Sequence, residues 1–580
     1  MTSYRKSSSG SLESLTAVTI AILFSMQHYI MHILPRGRDP LQIIQKRRHH
    51  VDSFCSQSSH CVLSNSVAAQ QIWDIWQTTW DRSSLFNRLS LSEPVSFTAS
   101  SGMNTSRSRV NINLDDSTVY QTVLGFGGSL TDSSAYILDK LKTSHPDNYW
   151  ALLTYLFDPT EGANAAGLSY VRVPLGASDF SPKEYSFDDT DGDKEMISFE
   201  MYNPPHCLFS VLQDMLSVNN ALHIHVLPWS PPGWMKDSGS MKGGSLNADL
   251  VNEYARYLFK CLQVFISLGV RPYAISVQNE PQYSNPTYPT TRFTPTLEGQ
   301  VARALRYLMK TNGLADIKLI GYEHNWDTAG GYPVQLMQDA GDAFDGIAFH
   351  CYRGNVAQQD IFIQQFPDKE IYFTECSGTF GSDWWKDIKW YMDQIFIGSL
   401  EHNSRSGLMW NIALDRYGEP KLPGSNSCGG PGCRGIVQID DDGSYAVNQE
   451  FYAMAHASKA IIPRDQNGPF GQRMKVNLDG DLNWALRVGA YVTRRIDPSD
   501  WLRYSLVVLN WCDSDGGWNP QPVQATINFQ GKQATYTFPV GVSTLSWYAP
   551  PIQSKKPENE TADPWSSLYI HLAERQSIYS

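Results

Sequence analysis

The sequence of 580 residues predicts a (β/α)8 TIM barrel with an attached β-sandwich side domain, and two patterns carry this prediction. Between residues 119 and 455, eight short apolar runs recur, and each precedes a span that can form a helix. Apolar strands that alternate with helices are typical of a parallel sheet covered on both faces, and eight units in series favour a closed barrel. After residue 455, short strand-like segments follow one another without a long helical pattern, which indicates a small antiparallel β domain.

The strands of both domains can be placed by their apolar runs and by the turns between them. The eight barrel strands are predicted at Val123–Gly128, Leu168–Leu175, Leu222–Trp229, Tyr273–Asn279, Ile317–Tyr322, Gly346–His350, Ile371–Thr374 and Gly407–Trp410. Turn sequences such as Asp479-Gly480 and Gln530-Gly531 separate the later strands. These later strands are predicted at Trp484–Val488, Tyr504–Leu509, Ala525–Phe529, Ala534–Phe538 and Thr544–Tyr548.

The composition limits the class of protein. Charged residues make up 18% of the chain and aromatic residues 12%, which excludes a disordered, coiled-coil or collagen-like chain. The 46 basic and 58 acidic residues give a net charge of −12, so nothing indicates broad nucleic-acid binding. An aromatic-rich chain of low charge suits a neutral, hydroxylated ligand whose flat faces stack on rings, although large cores also use aromatic side chains.

The N-terminal lead, residues 1–70, is interpreted as an export element. Its clean apolar stretch, Leu15–Met26, has the length of a signal-peptide core, whereas a spanning helix needs about 20 apolar residues. The basic segment Arg36–His50 would resist export under the positive-inside rule, so a signal peptide, a signal anchor and a misassigned chain start all stay open. The charged tail, residues 552–580, is predicted to be flexible.

The nine cysteines include two pairs that are close in sequence, Cys55 with Cys61 and Cys428 with Cys433. Each pair could close a short disulfide in a secreted protein or remain as free buried thiols, and the sequence leaves both readings open. There is no Cys-x-x-Cys pair, so a zinc ribbon or a thioredoxin-type motif is unsupported.

Two glutamates stand at the ends of apolar strands, where the active sites of such barrels lie. Glu280 follows the fourth predicted strand and Glu375 follows the seventh. Each glutamate alone is explained by capping or by an ion pair, whereas two at matching strand ends predict one site. Paired carboxylates suit glycoside hydrolysis, in which one protonates the leaving oxygen and the other attacks or stabilises an oxocarbenium-like centre. The acid then needs a pKa raised by burial or by its neighbour.

Further motifs stand at the other strand ends in the same order. They are Gly125-Phe-Gly-Gly-Ser-Leu-Thr-Asp132, Tyr170-Val-Arg172-Val-Pro174 with Ser178-Asp179-Phe180-Ser181, Pro228-Trp229-Ser-Pro-Pro-Gly-Trp234-Met235-Lys236, Gln278-Asn279-Glu280-Pro281, Phe349-His350-Cys351-Tyr352, Phe373-Thr374-Glu375 and Trp410-Asn411. Over residues 120–550 the chain resembles glycoside hydrolase family 30, the family of lysosomal-type glucosylceramidases and fungal endo-β-1,6-glucanases. The resemblance implies a catalytic barrel at residues 119–455 and a β-sandwich built from residues 71–118 and 456–551.

The resemblance also implies residue roles in a retaining mechanism. Glu375 would be the nucleophile, and Glu280 would act first as acid and then as base, with carboxyls about 5–5.5 Å apart. The sugar site would be lined by Asp132, Arg172, Trp229, Asn279, His350, Tyr352 and Trp410. Because a charge inside an apolar strand is costly unless paired, we expect Arg172 to contact a carboxylate such as Glu375. Trp229 and Trp410 could instead belong to the barrel core.

The sequence predicts neither a metal nor a cofactor. His350 at a strand end could ligate a metal, but no second His or Asp at ligand spacing accompanies it. Gly125-x-Gly127 could begin a dinucleotide loop, but Leu130 stands where the third glycine would be needed.

The loop Gln282–Thr291, which contains Tyr288, resembles the endo-β-1,6-glucanase branch, and Tyr288 is placed in the substrate site. We therefore expect a secreted, cell-wall enzyme that hydrolyses β-1,6-linked glucan polysaccharide as a monomer, without nucleic acid. The low charge and the two glycosylation sequons, at Asn104 and Asn559, agree with export. The alternatives are a glucosylceramidase of the same family and a catalytically silent sugar-binding barrel.

Overall fold

The computed structural model describes residues 70–90, 93–99, 109–200, 205–513 and 519–551. The predicted export element, the Cys55/Cys61 pair, both sequons and the predicted flexible tail lie outside these residues. Within the described ranges, every helix is too short or too polar to span a membrane.

Eight parallel strands form the barrel. They are β1 Gly125–Ser129, β2 Tyr170–Leu175, β3 His223–Pro228, β4 Ala274–Ser276, β5 Lys318–Asn325, β6 Gly346–His350, β7 Glu370–Glu375 and β8 Ser406–Asn411. From β1 to β7 each strand pairs with the next, and β8 pairs with β1. Between β7 and β8, the backbone N–H of Arg405 donates to the carbonyl of Ile371 at 2.8 Å, so the ring is nearly closed. The predicted fold class is confirmed, and every predicted run overlaps its strand.

Helices follow the strands and cover the barrel. The α-helices are Asp132–Ser144, Pro146–Phe157, Cys207–Val218, Val251–Ser267, Pro295–Thr311, Tyr332–Ala340, Gln359–Ile363, Trp384–Trp390, Gly398–Glu401 and Gln449–Ile461, with a π-helical turn at Tyr391–Phe396. Short 3-10 turns occupy Gly233–Met235, Ala248–Leu250, Trp326–Thr328, Val356–Gln358 and Asn483–Ala485. The helix after β4 shows how sequence sets a boundary: Thr294 accepts a hydrogen bond from the N–H of Leu297, and Pro295 occupies the first turn.

The lower half of the barrel is filled by apolar side chains. The inward-facing residues there are Tyr170, Ala274, Ile320, Ala348, Tyr372 and Leu408, all with 0% exposure. Because this layer closes the interior, polar side chains of the upper half can face only the C-terminal mouth. Small sheets add to the rim: Gly378–Thr379 pairs with Cys433–Arg434, and Ala413–Leu414, Val437–Ile439 and Tyr445–Val447 form a three-stranded sheet.

The side domain is a single eleven-stranded sheet. In spatial order its strands are Asn87–Arg88, Gln71–Thr79, Gly541–Ala549, Leu502–Asn510, Leu486–Thr493, Gln472–Asp479, Val110–Thr122, Val523–Phe529, Lys532–Phe538 and Thr98–Ala99, with Val95–Ser96 paired to Gln71–Thr79. The sheet folds over on itself, because the rings of Trp547 and Phe529 lie 5.3 Å apart although four strands separate their own strands. Strands from before and after the barrel therefore share one core.

Two elements continue past the domain limits that the sequence suggested. The strand Val110–Thr122 runs beyond residue 118, and the helix Gln449–Ile461 runs beyond residue 455. This helix keeps Ala457, Ala460 and Ile461 buried between barrel and sheet, which explains why it does not stop earlier.

Candidate active site

A cavity of about 550 Å³ opens at the C-terminal mouth of the barrel, and both predicted glutamates line it. Its other lining residues come from the loops after β2 to β8 and include Asp179, Trp229, Asn279, Tyr288, Tyr352 and Trp410. The structure thus brings together most of the residues that the sequence placed in one site.

The carboxylates of Glu280 and Glu375 face each other across this cavity. One oxygen of each lies, with a ring nitrogen of His350, in a group whose members are all within 4.8 Å of one another. Retaining glycosidases hold their carboxyl groups about 5–5.5 Å apart, whereas inverting enzymes need about 6.5–9.5 Å to admit a water. The spacing is therefore that of a retaining site.

Glu375 ends β7 and is held by two donors from different strands. Nη1 of Arg172 donates to its Oε2 at 2.5 Å, and the hydroxyl of Tyr352 donates to its Oε1 at 2.9 Å. The expected contact of Arg172 with a carboxylate is present. Because the side chain of Glu375 is only 6% exposed, the adjacent guanidinium balances a charge that solvent hardly reaches.

Arg172 organises the floor of the cavity. Besides Glu375, its Nη2 donates to Oδ1 of Asn279 at 2.6 Å and to Oε2 of Glu323 at 3.2 Å. The rings of Trp229 and Trp410 stack 4.8 Å apart, and the guanidinium lies 4.9 Å and 5.7 Å from their centroids. Each tryptophan is 3% exposed and also lines the cavity, so it belongs both to the core and to the site.

Glu280 follows β4 in a left-handed conformation, with φ 45°. Its N–H donates to the carbonyl of Glu323 at 3.0 Å, and its Oε1 lies 3.1 Å from Nδ1 of His350 and 3.5 Å from Nδ1 of His324. Burial acts to raise the pKa of Glu280, but the two histidines outweigh burial and hold this pKa below its usual range. The direction of this shift is therefore opposite to the raised pKa that the sequence predicted for the acid.

Glu323 is a third buried carboxylate, which the sequence analysis missed. It lies on β5 next to Tyr322, and both residues have positive φ, 73° for Tyr322 and 48° for Glu323. This bulge interrupts the pairing of β5 with β6 and turns Glu323 beneath the other two glutamates. The rule that selected Glu280 and Glu375, a glutamate at a strand end, would have found it.

Of two aspartates near the barrel mouth, the structure places Asp179, and not Asp132, in the cavity wall. Asp132 is not among the described residues that line the cavity, and its predicted substrate role stays a prediction. It begins the helix after β1 and points into the neighbouring loop, where it accepts from Ser181 at 2.7 Å and Tyr185 at 2.8 Å. Asp179 does line the cavity, and its Oδ1 accepts no hydrogen bond from the described residues. Burial, together with the charges of Glu375 and Glu280, raises its pKa to about 7.

Two disulfides border the site. Cys428 and Cys433 are paired and line the cavity, which settles the alternative left open for them. A second disulfide, unforeseen from sequence, joins Cys351 to Cys376. These cysteines directly follow His350 and Glu375 in the chain, so the bond ties together the ends of β6 and β7.

The group Glu280, His350 and Glu375 has donor types that could hold a metal ion. Its hydrogen bonding argues against this, because Nδ1 and Nε2 of His350 both lie against carboxylates, 3.1 Å from Glu280 and 3.3 Å from Glu323. Burial lowers the pKa of His350, but the charges of the surrounding glutamates outweigh it and raise this pKa to about 9. A doubly protonated ring offers no lone pair, so the predicted absence of a metal stays a prediction that this donor set supports.

A (β/α)8 barrel with paired carboxylates after β4 and at the end of β7 defines a glycoside hydrolase. The model of the glycosyl hydrolase family 30 TIM-barrel domain matches residues 123–461, and the chain belongs to this family.

Relatives within the family differ in their named substrates. The chain is 31% identical over 392 residues to an endo-1,6-β-D-glucanase of Neurospora crassa, covering 64% of this chain and 76% of that protein. It is 26% identical over 367 residues to the lysosomal acid glucosylceramidase of Mus musculus, covering 59% and 68%. Among solved structures, an endo-β-1,6-glucanase superposes with a TM-score of 0.69 at 26% identity, covering 82% of this chain and 99% of that one.

Proposed function

We propose that this glycoside hydrolase cleaves β-1,6-glucosidic bonds within glucan by a double displacement that uses Glu375 and Glu280. The observation that carries the mechanism is the group of carboxylate oxygens within 4.8 Å, since this distance is close to that of retaining enzymes and shorter than the roughly 6.5–9.5 Å that inverting enzymes need for a water beside the sugar. The similarity to endo-β-1,6-glucanases in sequence and in structure supports the choice of substrate.

In the first step, Glu375 attacks the anomeric carbon while Glu280 protonates the departing oxygen, and a glycosyl ester forms on Glu375. In the second step, Glu280 takes a proton from a water that attacks the same carbon, and the ester bond breaks. Arg172 and Tyr352 hold both oxygens of Glu375, which fixes the attacking oxygen in one orientation.

The sugar rests on Trp229 and Trp410 in this proposal, and polar groups around it bind its hydroxyls. Oδ1 of Asp179 is buried and accepts no hydrogen bond from the described residues, so a sugar hydroxyl can satisfy it. Asn279 is held by Arg172 at 2.6 Å, beside Glu280, in the position expected for a partner of the 2-hydroxyl. Tyr288 and Tyr352 form part of the cavity wall.

Features of the same site support export of the enzyme. Disulfides form and persist in oxidising compartments, and two of them border the cavity. Together with the apolar stretch Leu15–Met26, they support a secreted enzyme that acts on cell-wall polysaccharide, and we expect it to act as a monomer.

The experiment that tests this function is a substrate panel of pustulan, laminarin, xylan and glucosylceramide. We expect hydrolysis of pustulan, the β-1,6-linked polymer, and loss of turnover in Glu375→Gln, which keeps the size of the side chain but removes the nucleophile. Activity confined to the lipid would replace the glucanase proposal with the glucosylceramidase alternative, and full turnover in Glu375→Gln would contradict the mechanism.

A further inference from the structure

Glu323 is the most enclosed carboxylate of the site. Its side chain is 0% exposed, and both oxygens are occupied by donors. Oε1 accepts from Ser276 at 2.7 Å and lies 3.2 Å from Nε2 of His225, while Oε2 accepts from Thr374 at 2.6 Å and from Arg172 at 3.2 Å. A carboxylate so enclosed cannot attack the sugar or bind its hydroxyls. Any effect of Glu323 on the reaction must therefore pass through a neighbouring side chain.

That neighbour is His350, whose ring bridges Glu323 and Glu280. The ring is fully buried, with Nε2 3.3 Å from Oε2 of Glu323 and Nδ1 3.1 Å from Oε1 of Glu280. Because each nitrogen faces a carboxylate oxygen, the arrangement suits an imidazolium that donates in both directions. The directions of the pKa shifts agree, since that of His350 is raised and those of Glu280 and Glu323 are lowered despite burial.

We propose that Glu280 and His350 share the catalytic proton, and that Glu323 is the positioning residue that sets on which of the two it rests. The inference deepens the proposed glucanase mechanism and depends on Glu280 being its acid and base. It also explains how a glutamate whose pKa is held below its usual range can still deliver a proton.

Before a sugar binds, the proton rests on Nδ1 of His350, and Glu280 is ionised. When a sugar excludes water, the proton moves to Oε1 of Glu280 and then to the leaving oxygen, as the glycosidic bond breaks and the ester bond to Glu375 forms. His350 stays neutral with its Nε2–H directed at Glu323. In the second step Glu280 accepts a proton from the attacking water and returns it to Nδ1 of His350.

Charged and titratable groups face this pair from all the neighbouring strands. They are Arg172 on β2, His225 on β3, Glu323 and His324 on β5, Tyr352 after β6 and Glu375 on β7, with Asp179 across the cavity. Among the carboxylates of this group, Glu323 is the one whose removal leaves the cavity wall intact, because Glu375 and Asp179 both line the cavity. The charge of Glu323 can therefore be removed without changing a residue of the cavity wall.

The test is the pH dependence of kcat/KM for Glu323→Gln on pustulan. Removing a negative charge beside the protonated pair makes it release its proton more readily, so the basic limb should move to lower pH by at least about one unit. Glu323→Asp, which keeps the charge, should return the basic limb most of the way to its wild-type position. The matched control is Glu370→Gln at the opposite end of β7, which should leave the profile unchanged. A Glu323→Gln profile that coincides with that of the wild type would overturn the proposal.

A second measurement needs neither activity nor a folded Glu323 variant. Side-chain nitrogen NMR of the 15N-labelled wild-type enzyme at pH 8 should show a histidine protonated at both nitrogens, and His350→Gln should lack this signal. The absence of a doubly protonated histidine at pH 8 would overturn the inference, whatever substrate the enzyme cleaves. If pustulan is not hydrolysed but the signal is present, the substrate proposal fails and the proton-sharing pair stands.

Discussion

Arg172 and Glu375 form an ion pair at 2.5 Å in which neither side chain is more than 6% exposed. Their strands, β2 and β7, lie on different sides of the barrel, so the pair crosses its interior above the apolar layer. The same guanidinium also holds Asn279 and contacts Glu323. One side chain thus fixes the position of Glu375 relative to its neighbours.

The first prediction concerns this guanidinium. Arg172→Lys keeps the charge but offers one nitrogen in place of Nη1, which donates to Glu375, and Nη2, which donates to Asn279 and Glu323. Loss of one charge-assisted hydrogen bond costs about 1.5–3 kcal/mol, so kcat should fall roughly 10- to 100-fold. Steady-state kinetics give this value, and Arg303→Lys on the outer surface serves as the control. An unchanged kcat in Arg172→Lys would show that the pair does not position Glu375.

The second prediction concerns the disulfide between Cys351 and Cys376. Replacing both by Ser should lower the free energy of unfolding by about 3 kcal/mol, the size expected for closing a loop of this length. It should also lower kcat more than it raises KM, because His350 and Glu375 lose a link between their strand ends. Urea unfolding and kinetics measure the two effects. Cys512→Ser, at a free cysteine, should show neither effect, and a double variant with wild-type kcat would refute the positioning role.

The third prediction concerns Asp179, whose pKa is raised to about 7. Below pH 7 the carboxyl is neutral and resembles an amide, whereas above pH 7 it becomes a charged acceptor for a sugar hydroxyl. The ratio of kcat/KM between wild type and Asp179→Asn should therefore grow as the pH rises through 7, to roughly 10-fold or more. A ratio that stays near one from pH 5 to 8 would remove Asp179 from the substrate site.

The fourth prediction concerns Glu298, which supports the bulge in β5 from outside the barrel. It accepts from the N–H of Tyr322 at 3.0 Å and from the hydroxyl of Tyr332 at 2.8 Å, and burial raises its pKa to about 7. Because the folded state binds this proton more tightly than the unfolded chain does, the contribution of Glu298 is present below pH 4.5 and is lost as the pH rises to 7. Relative to Glu298→Gln, the wild type should lose up to about 3 kcal/mol of stability across this range.

Urea unfolding at pH 4.5, 6 and 8 checks the Glu298 prediction. The difference in the free energy of unfolding between the wild type and Glu298→Gln should change between pH 4.5 and 7 and stay constant above pH 7. A difference that is the same at all three values would mean that Glu298 does not titrate with a raised pKa.

The sequence was informative where side-chain type and strand position decide the outcome. Apolar runs located all eight barrel strands, and a glutamate at a strand end located Glu280 and Glu375. Backbone conformation was harder to predict, since an apolar pattern does not indicate that Tyr322 and Glu323 adopt left-handed conformations. Glu323 directly follows the predicted fifth strand, so the strand-end rule could have found it, but the apolar pattern does not show that a bulge turns this residue toward the site.

The other limit on prediction from sequence was the contacts between residues that are far apart along the chain. Cys351 and Cys376 are 25 residues apart, and only the adjacency of β6 and β7 brings them together. That adjacency was available from the predicted barrel order, so the pair could have been inferred. For Asp132, the motif fixes its position just after β1 but not the contacts of its side chain with Ser181 and Tyr185, which lie about 50 residues further along the chain.

We propose that Glu375 and Glu280 cleave a β-1,6 bond with retention of configuration, from the carboxyl separation typical of retaining enzymes. The most direct measurement is proton NMR of pustulan during the first minutes of hydrolysis, before the new reducing ends mutarotate. Double displacement predicts that these ends appear first as the β-anomer and only later equilibrate. Initial appearance of the α-anomer would mean a single displacement by water and would contradict the assignment of Glu375 as nucleophile.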